Sequence, residues 1–175
     1  MKTTRKMLCA IDAPYIRSLM RLIETQSKTT LANWAISYAE SVFVPLYKKT
    51  YPADARPERA LEAARGFLAG KVKLPYVKDI ILNQAHAAAR EAKNPVAQGA
   101  ARAIGQAAAC IHTPTHSLGL ALYGALAVAY DKVGAAEAWE VIEKTAAEEV
   151  AKMQAALCAA AVENEPNPAK LNWNC

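Results

Sequence analysis

The chain has 175 residues, a formal net charge of +5, and 53% hydrophobic against 21% charged residues. This composition is too apolar for a disordered protein, and a chain of this length can bury a sufficient core without disulfides or a structural metal. The sequence holds 39 alanines but only 7 glycines, which favours helix because alanine is the strongest helix former. We therefore expect a single all-α domain over residues 1–175, folded as a compact bundle of six or seven helices.

Helical segments can be placed in chain order from apolar spacing, capping residues and prolines. They are expected at about residues 14–25, 29–45, 57–68, 75–93, 95–112, 114–130 and 135–162. Asp12 is the expected N-cap of the first helix, and Pro45 is expected to end or kink the second. Residues 163–175 contain two prolines and are expected to form an irregular C-terminal tail.

The stretch 95–130 carries only one charged residue, Arg102. It predicts an Ala-rich, apolar helical hairpin at the centre of the bundle, with its turn at Thr113 and Pro114. Gly105, Gly119 and Gly124 indicate that the helices of this hairpin pack closely against their neighbours.

The sequence shows no secretory or membrane-spanning pattern. The most apolar stretch, residues 118–130, is about 13 residues long, whereas a spanning helix needs roughly 20. The four cysteines at positions 9, 110, 158 and 175 form no C-x-x-C pair. We therefore expect a cytoplasmic protein with reduced thiols and no membrane partner.

Charge is unevenly distributed along the chain. Residues 1–94 hold 16 basic and 8 acidic side chains, whereas residues 135–175 hold 3 basic and 7 acidic ones. These segments can complement each other within one molecule or between subunits. No basic stretch is interleaved with aromatic residues, so we expect no nucleic-acid partner.

Six polar residues are candidates for a site in or beside the apolar centre. They are His86 and Arg90 on the fourth predicted helix, Arg102 and Gln106 on the fifth, and His112 and His116 around the following turn. Each helical pair is four residues apart and shares a face. Because buried polar groups need partners, we expect these residues to form one network, which is either structural or a ligand site for a metal or an anion.

The sequence disfavours a catalytic metal. Pro114 lies between His112 and His116 and interrupts the helical geometry that an H-x-x-x-H pair requires. No H-E-x-x-H, E-x-x-H, G-x-S-x-G, P-loop or dinucleotide motif is present. We therefore predict no catalytic residue, no cofactor and no metal, with His86, His112 and His116 as the ligands if a metal does bind.

Several strings together resemble a known family. They are L-A-N-W-A at 31–35, D-A-R-P-E-R-A at 54–60, A-H-A-A-A-R at 85–90, A-R-A-I-G-Q-A at 101–107 and H-T-P-T-H-S-L-G at 112–119, followed by Tyr123. In this order and spacing they resemble the Imm-5-like family of immunity proteins, which are small all-helical bacterial proteins. The resemblance covers about residues 29–134. It implies a cytoplasmic protein that binds and neutralises a toxin.

We therefore favour a non-catalytic immunity protein with a cognate toxin as its partner. One alternative is a metal-binding or small-ligand-binding protein or enzyme that uses the histidines with Arg90 and Arg102. Another is a homo-oligomeric structural protein joined through its acidic last helix.

Overall fold

A computed structural model describes residues 4–173, and in this range the chain forms seven continuous helices and no strand. Their bounds are α1 Pro14–Ile23, α2 28–48, α3 Arg56–Leu68, α4 74–91, α5 Pro95–Ala109, α6 114–133 and α7 Trp139–Ala160. The predicted all-α bundle with six or seven helices is confirmed.

Three of these helices change their winding along their length. In α2, a wide π-helical turn at Ala39–Phe43 separates the α-helical parts Lys28–Tyr38 and Val44–Lys48. In α4, the π-helical turn Ile81–Ala85 lies between Leu74–Ile80 and His86–Glu91. Helix α6 begins with the 3₁₀ turn Pro114–Leu118, continues through the π-helical turn Leu120–Ala125, and ends as Leu126–Val133.

Of the two outcomes expected at Pro45, an end or a kink, the end is wrong, because α2 continues through this proline to Lys48. A proline in a helix lacks an amide donor, and its ring crowds the carbonyl four residues earlier. Here that carbonyl belongs to Ser41, inside the π-helical turn. The widened turn gives the proline ring room, and the helix goes on.

Within residues 4–173, two helix starts are capped by side chains, at positions other than the expected Asp12. Ser27 Oγ accepts a hydrogen bond from the Thr30 amide, and Asn94 Oδ1 accepts bonds from the amides of Val96 and Ala97. The N-cap position of α1 is Ala13. Asp12 pairs instead with Arg17 on the surface, so its prediction as a cap is wrong.

Helix α5 is the centre of the bundle, with ten of its 15 residues buried. It packs against α2, α3, α4 and α6. The small side chains of α5 let these helices pack closely against it. At Gly99, for example, even the Cβ of an alanine would lie only 2.9 Å from Ala127 Cβ on α6. The expected apolar hairpin of α5 and α6 therefore lies at the core.

Both ends of the described chain pack onto the bundle. Leu8 is fully buried, and its amide donates to the Leu122 carbonyl on α6 over 2.8 Å. At the other end, the side-chain amide of Gln26 bonds to the backbone N–H and C=O of Val162, and Trp173 Nε1 donates to Glu24 Oε1. No helix in residues 4–173 is long and apolar enough to cross a membrane.

Candidate functional site

The first candidate site lies where α4, α5 and the start of α6 meet. His86 opens the last α-helical part of α4, directly after the π-helical turn. A Cβ on Gly105 would lie 2.7 Å from Cε1 of its ring. The Cε1–Nδ1 edge of the imidazole therefore lies close to the backbone of α5, at a place that only glycine leaves open.

Gln106 and His116 form the polar contact at the centre of this region. Gln106 Oε1 lies 2.5 Å from Nδ1 of His116. Because an amide oxygen can only accept, the His116 Nδ1 carries the proton, and its Nε2 is left as an acceptor. Gly119 makes the contact possible, since a Cβ there would lie 2.5 Å from Gln106 Cγ.

His112 lies beside this pair and is incompletely satisfied. Its ring centroid is 6.2 Å from that of His116, and its Nδ1 is a buried atom without a hydrogen-bond partner. Lys28 and Lys78 lie near the ring and, after burial, contribute to lowering its pKa. His112 is thus held neutral in positively charged surroundings.

All three imidazoles resist protonation. Burial lowers the pKa of each below the ordinary value, and for His86 the positive charges of Arg90 and Arg102 and the neighbouring His116 lower it further. At pH 7 the cluster is therefore a set of neutral rings.

The two arginines are not part of the hydrogen-bonded cluster. Arg90 is exposed, and Arg102 is half-buried with its guanidinium 5.9 Å above the Tyr123 ring. Across residues 4–173, neither arginine has an ion pair or a side-chain hydrogen bond. The expected single network of six residues is therefore reduced to the Gln106–His116 bond with His86 and His112 beside it.

The histidines are also not arranged as a metal-binding set. Among the described residues, no group of three or more His, Cys, Asp or Glu side chains could hold a metal ion. The neutral rings present hydrogen-bonding groups instead.

The D-A-R-P string has a structural role. Arg56 binds Asp54 next to it and Glu91 at the end of α4, each with a shortest distance of 2.8 Å. The hydrogen bonds from Arg56 lower the pKa of Asp54 to about 2. This ion-paired group joins the start of α3 to the end of α4.

A second candidate site is a surface groove between α3 and α4, which the sequence reasoning did not identify. This α3/α4 groove has a volume of about 330 Å³ and is lined by Arg59, Glu62, Ala63, Val72, Tyr76, Ile80 and Gln84. Tyr76 is 54% exposed, and Oε1 of Gln84 is buried without a partner. Gln84 interrupts a stripe of apolar residues on α4, which includes Val77, Ile81 and Ala88, and this amide is the signal that could have indicated the groove.

The groove lies in a basic part of the surface. Residues 59–78 contain five basic side chains and one acidic one, Glu62. Arg65 is neutralised by Glu40. Arg59 lines the groove, Lys71 and Lys73 lie in the segment between α3 and α4, and none of the three forms an ion pair with a described residue. Lys78 lies near His112 instead.

The chain matches the family model described as "Imm-5 like putative immunity protein" over residues 21–156. This match begins in α1 and ends in α7, so it is wider than the 29–134 core expected from the motifs. It contains both candidate sites. No curated protein and no solved structure matches the chain.

Proposed function

We propose that this chain, which belongs to the Imm-5-like family, is a non-catalytic immunity protein that binds and neutralises a cognate toxin in the bacterial cytoplasm. The observation that carries the proposal is the family match, which covers α2 to α6 entirely and most of α7. The fold is consistent with such a role, since a rigid helical bundle can present a preformed surface to a protein partner.

The α3/α4 groove is the surface that we assign to the toxin. Tyrosine is enriched among the residues that dominate protein–protein binding energy, because it is large, rigid and amphipathic. Tyr76 is more than half exposed beside this concave surface. Gln84 also lines the groove, and its side-chain oxygen has no hydrogen-bond partner among the described residues.

The charge around the groove indicates the chemistry of the partner. Arg59 lines the groove together with Glu62, and Lys71 and Lys73 lie in the segment that joins α3 to α4 and form no ion pair with a described residue. Complementary charges accelerate encounter and suppress wrong partners. We therefore expect the contacted surface of the toxin to be acidic.

The test is capture followed by growth rescue. The tagged full-length chain is used to capture proteins from cells that produce it, and the retained proteins are identified by mass spectrometry. A candidate must then reduce growth when it is expressed alone and be tolerated when it is co-expressed with this chain.

Two pairs of variants locate the interface. Tyr76→Ala should weaken binding at least tenfold, whereas Leu82→Ala, which truncates an apolar side chain 56% exposed on the same helix, should change it less than threefold. Lys71→Glu with Lys73→Glu should slow association, whereas Lys144→Glu on α7 should not. A salt-sensitive dimer that captures no toxin would contradict the proposal and favour the homo-oligomer.

A further inference from the structure

Arg102 is the one charged residue of the apolar stretch 95–130, and it lies half-buried on α5. Its guanidinium lies 5.9 Å from the centre of the Tyr123 ring, and it has no ion pair or hydrogen bond with a residue in the range 4–173. Arginine carries five N–H donors and is rarely taken out of water unless it is paired. The Arg102 guanidinium therefore lacks the anionic partner that a partly buried arginine usually has.

Two further basic side chains line the cleft that contains Arg102. This N-terminal cleft lies between residues 4–6, the start of α5 and the second half of α6, and it is lined by Arg5, Lys6 and Arg102. Among the described residues, no acidic side chain lines it, and none of the three cations forms an ion pair. Like charges that share one cleft repel one another, so a bound anion would relieve this repulsion.

The fold holds Arg5 in a fixed position at this cleft. The guanidinium carbon of Arg5 lies 3.7 Å from the centre of the Trp139 ring, and the Arg5 carbonyl accepts a hydrogen bond from the Tyr130 hydroxyl over 3.1 Å. A guanidinium that stacks on an aromatic face keeps its N–H edge available for an oxyanion. Arg5 is thus preorganised to donate to an anion, whereas the exposed Lys6 is free to move towards it.

The size of the cleft and its charge indicate the class of ligand. The enclosed space is about 10 Å³, which is room for about one water-sized group. One oxygen of a ligand can therefore enter and contact Arg102, while the rest of the ligand stays outside with Arg5 and Lys6. A phosphate group suits this arrangement, because it offers several strong acceptor oxygens and nearly two negative charges at neutral pH. A carboxylate offers only two oxygens and one charge.

We propose that the N-terminal cleft binds a phosphate group. Arg102 donates to the oxygen inside the cleft, and Arg5 and Lys6 donate to the oxygens outside it. The source is inorganic phosphate or a phosphate monoester, which present the same group. This site is separate from toxin binding, because the cleft and the α3/α4 groove share no lining residue.

The probes are inorganic phosphate and phenyl phosphate, each titrated into the full-length chain at pH 7.5 and constant ionic strength by NMR and calorimetry. A Kd of about 1 mM or tighter is expected for at least one of them. Binding of phenyl phosphate alone would identify a monoester, and binding of both would identify the phosphate group as sufficient. Acetate should bind at least tenfold more weakly, because it has a single charge and two oxygens.

Three substitutions test the location. Arg102→Gln should weaken phosphate binding at least tenfold, and Lys6→Gln, on an exposed side chain that the fold does not need, should weaken it at least threefold. Arg21→Gln removes the same charge from an exposed position on α1, outside the cleft, and should change binding less than twofold. The proposal is overturned if neither phosphate compound binds, if acetate binds as tightly, or if folded Arg102→Gln or Lys6→Gln retains the wild-type affinity.

Discussion

At the scale of single residues, the core depends on glycines that lie under larger side chains. Gly124 on α6 is covered by the ring of Phe43, which is fully buried. A Cβ on Gly124 would lie 2.2 Å from Cζ of that ring, closer than any real contact. Close packing leaves the ring no free space to move into.

Gly124→Ala should therefore destabilise the protein by about 3 kcal/mol or more, the upper part of the range for overpacking. The matched control is Gly66→Ala on α3, where the added Cβ would lie 3.2 Å from Val72 Cγ2 on a half-buried side chain. There the better helix propensity of alanine offsets the tighter contact. Urea unfolding of the two variants measures the difference, and equal losses would refute this account of the core.

At the scale of helices, the neutral histidine cluster makes stability depend on pH. Burial lowers the pKa of His86, His112 and His116 in the folded state, whereas unfolded histidines titrate near 6.5. Between these values the unfolded chain binds more protons than the folded one. The contribution of the cluster to the free energy of unfolding is therefore smallest at low pH, and it rises with pH until the pH exceeds about 6.5.

The free energy of unfolding should accordingly fall as the pH is lowered from 7.5 to 5.5. The slope should be a fraction of the limit of about 1.4 kcal/mol per pH unit for each histidine, since water still reaches these half-buried rings. His86→Gln should make this slope smaller. The range from pH 7.5 to 8.5 is the control, because the histidines are neutral in both states there and the slope should vanish. An unchanged slope in His86→Gln would show that this histidine is not the origin of the dependence.

The helices themselves could be predicted from the sequence, because apolar spacing, prolines and caps are local signals. The all-α class, a count of six or seven helices and the central hairpin follow from these signals. The continuation of α2 past Pro45 could not be predicted. The π-helical turn that accommodates this proline packs against α5, and such packing is not a local signal. The same limit applies to the site. The spacing of Arg90 and Arg102 gives their helix faces, but only the packed structure shows that neither arginine bonds to the histidines.

At the scale of the whole molecule, the segment before α1 belongs to the core. Apolar spacing identified the first helix but gave no reason to place residues 7–11 inside the fold, because these residues have no periodic pattern. The structure buries Leu8 completely and bonds its amide to α6.

Leu8→Ala should cost about 2–4 kcal/mol, the usual range for removing a buried leucine side chain. Ile11→Ala, three residues further along and 42% exposed, should cost less than about 1 kcal/mol. Thermal unfolding of both variants compares them directly. If Leu8→Ala proves as mild as Ile11→Ala, the N-terminal segment does not pack as described.

The measurement that tests the central claim most directly is growth rescue by the chain and its Tyr76→Ala variant against the captured toxin. The wild-type chain and Leu82→Ala should restore growth, and Tyr76→Ala should fail although it is folded and equally abundant. Full rescue by Tyr76→Ala would show that the α3/α4 groove is not the inhibitory surface. If the wild-type chain rescues growth from no captured protein, the immunity function is contradicted.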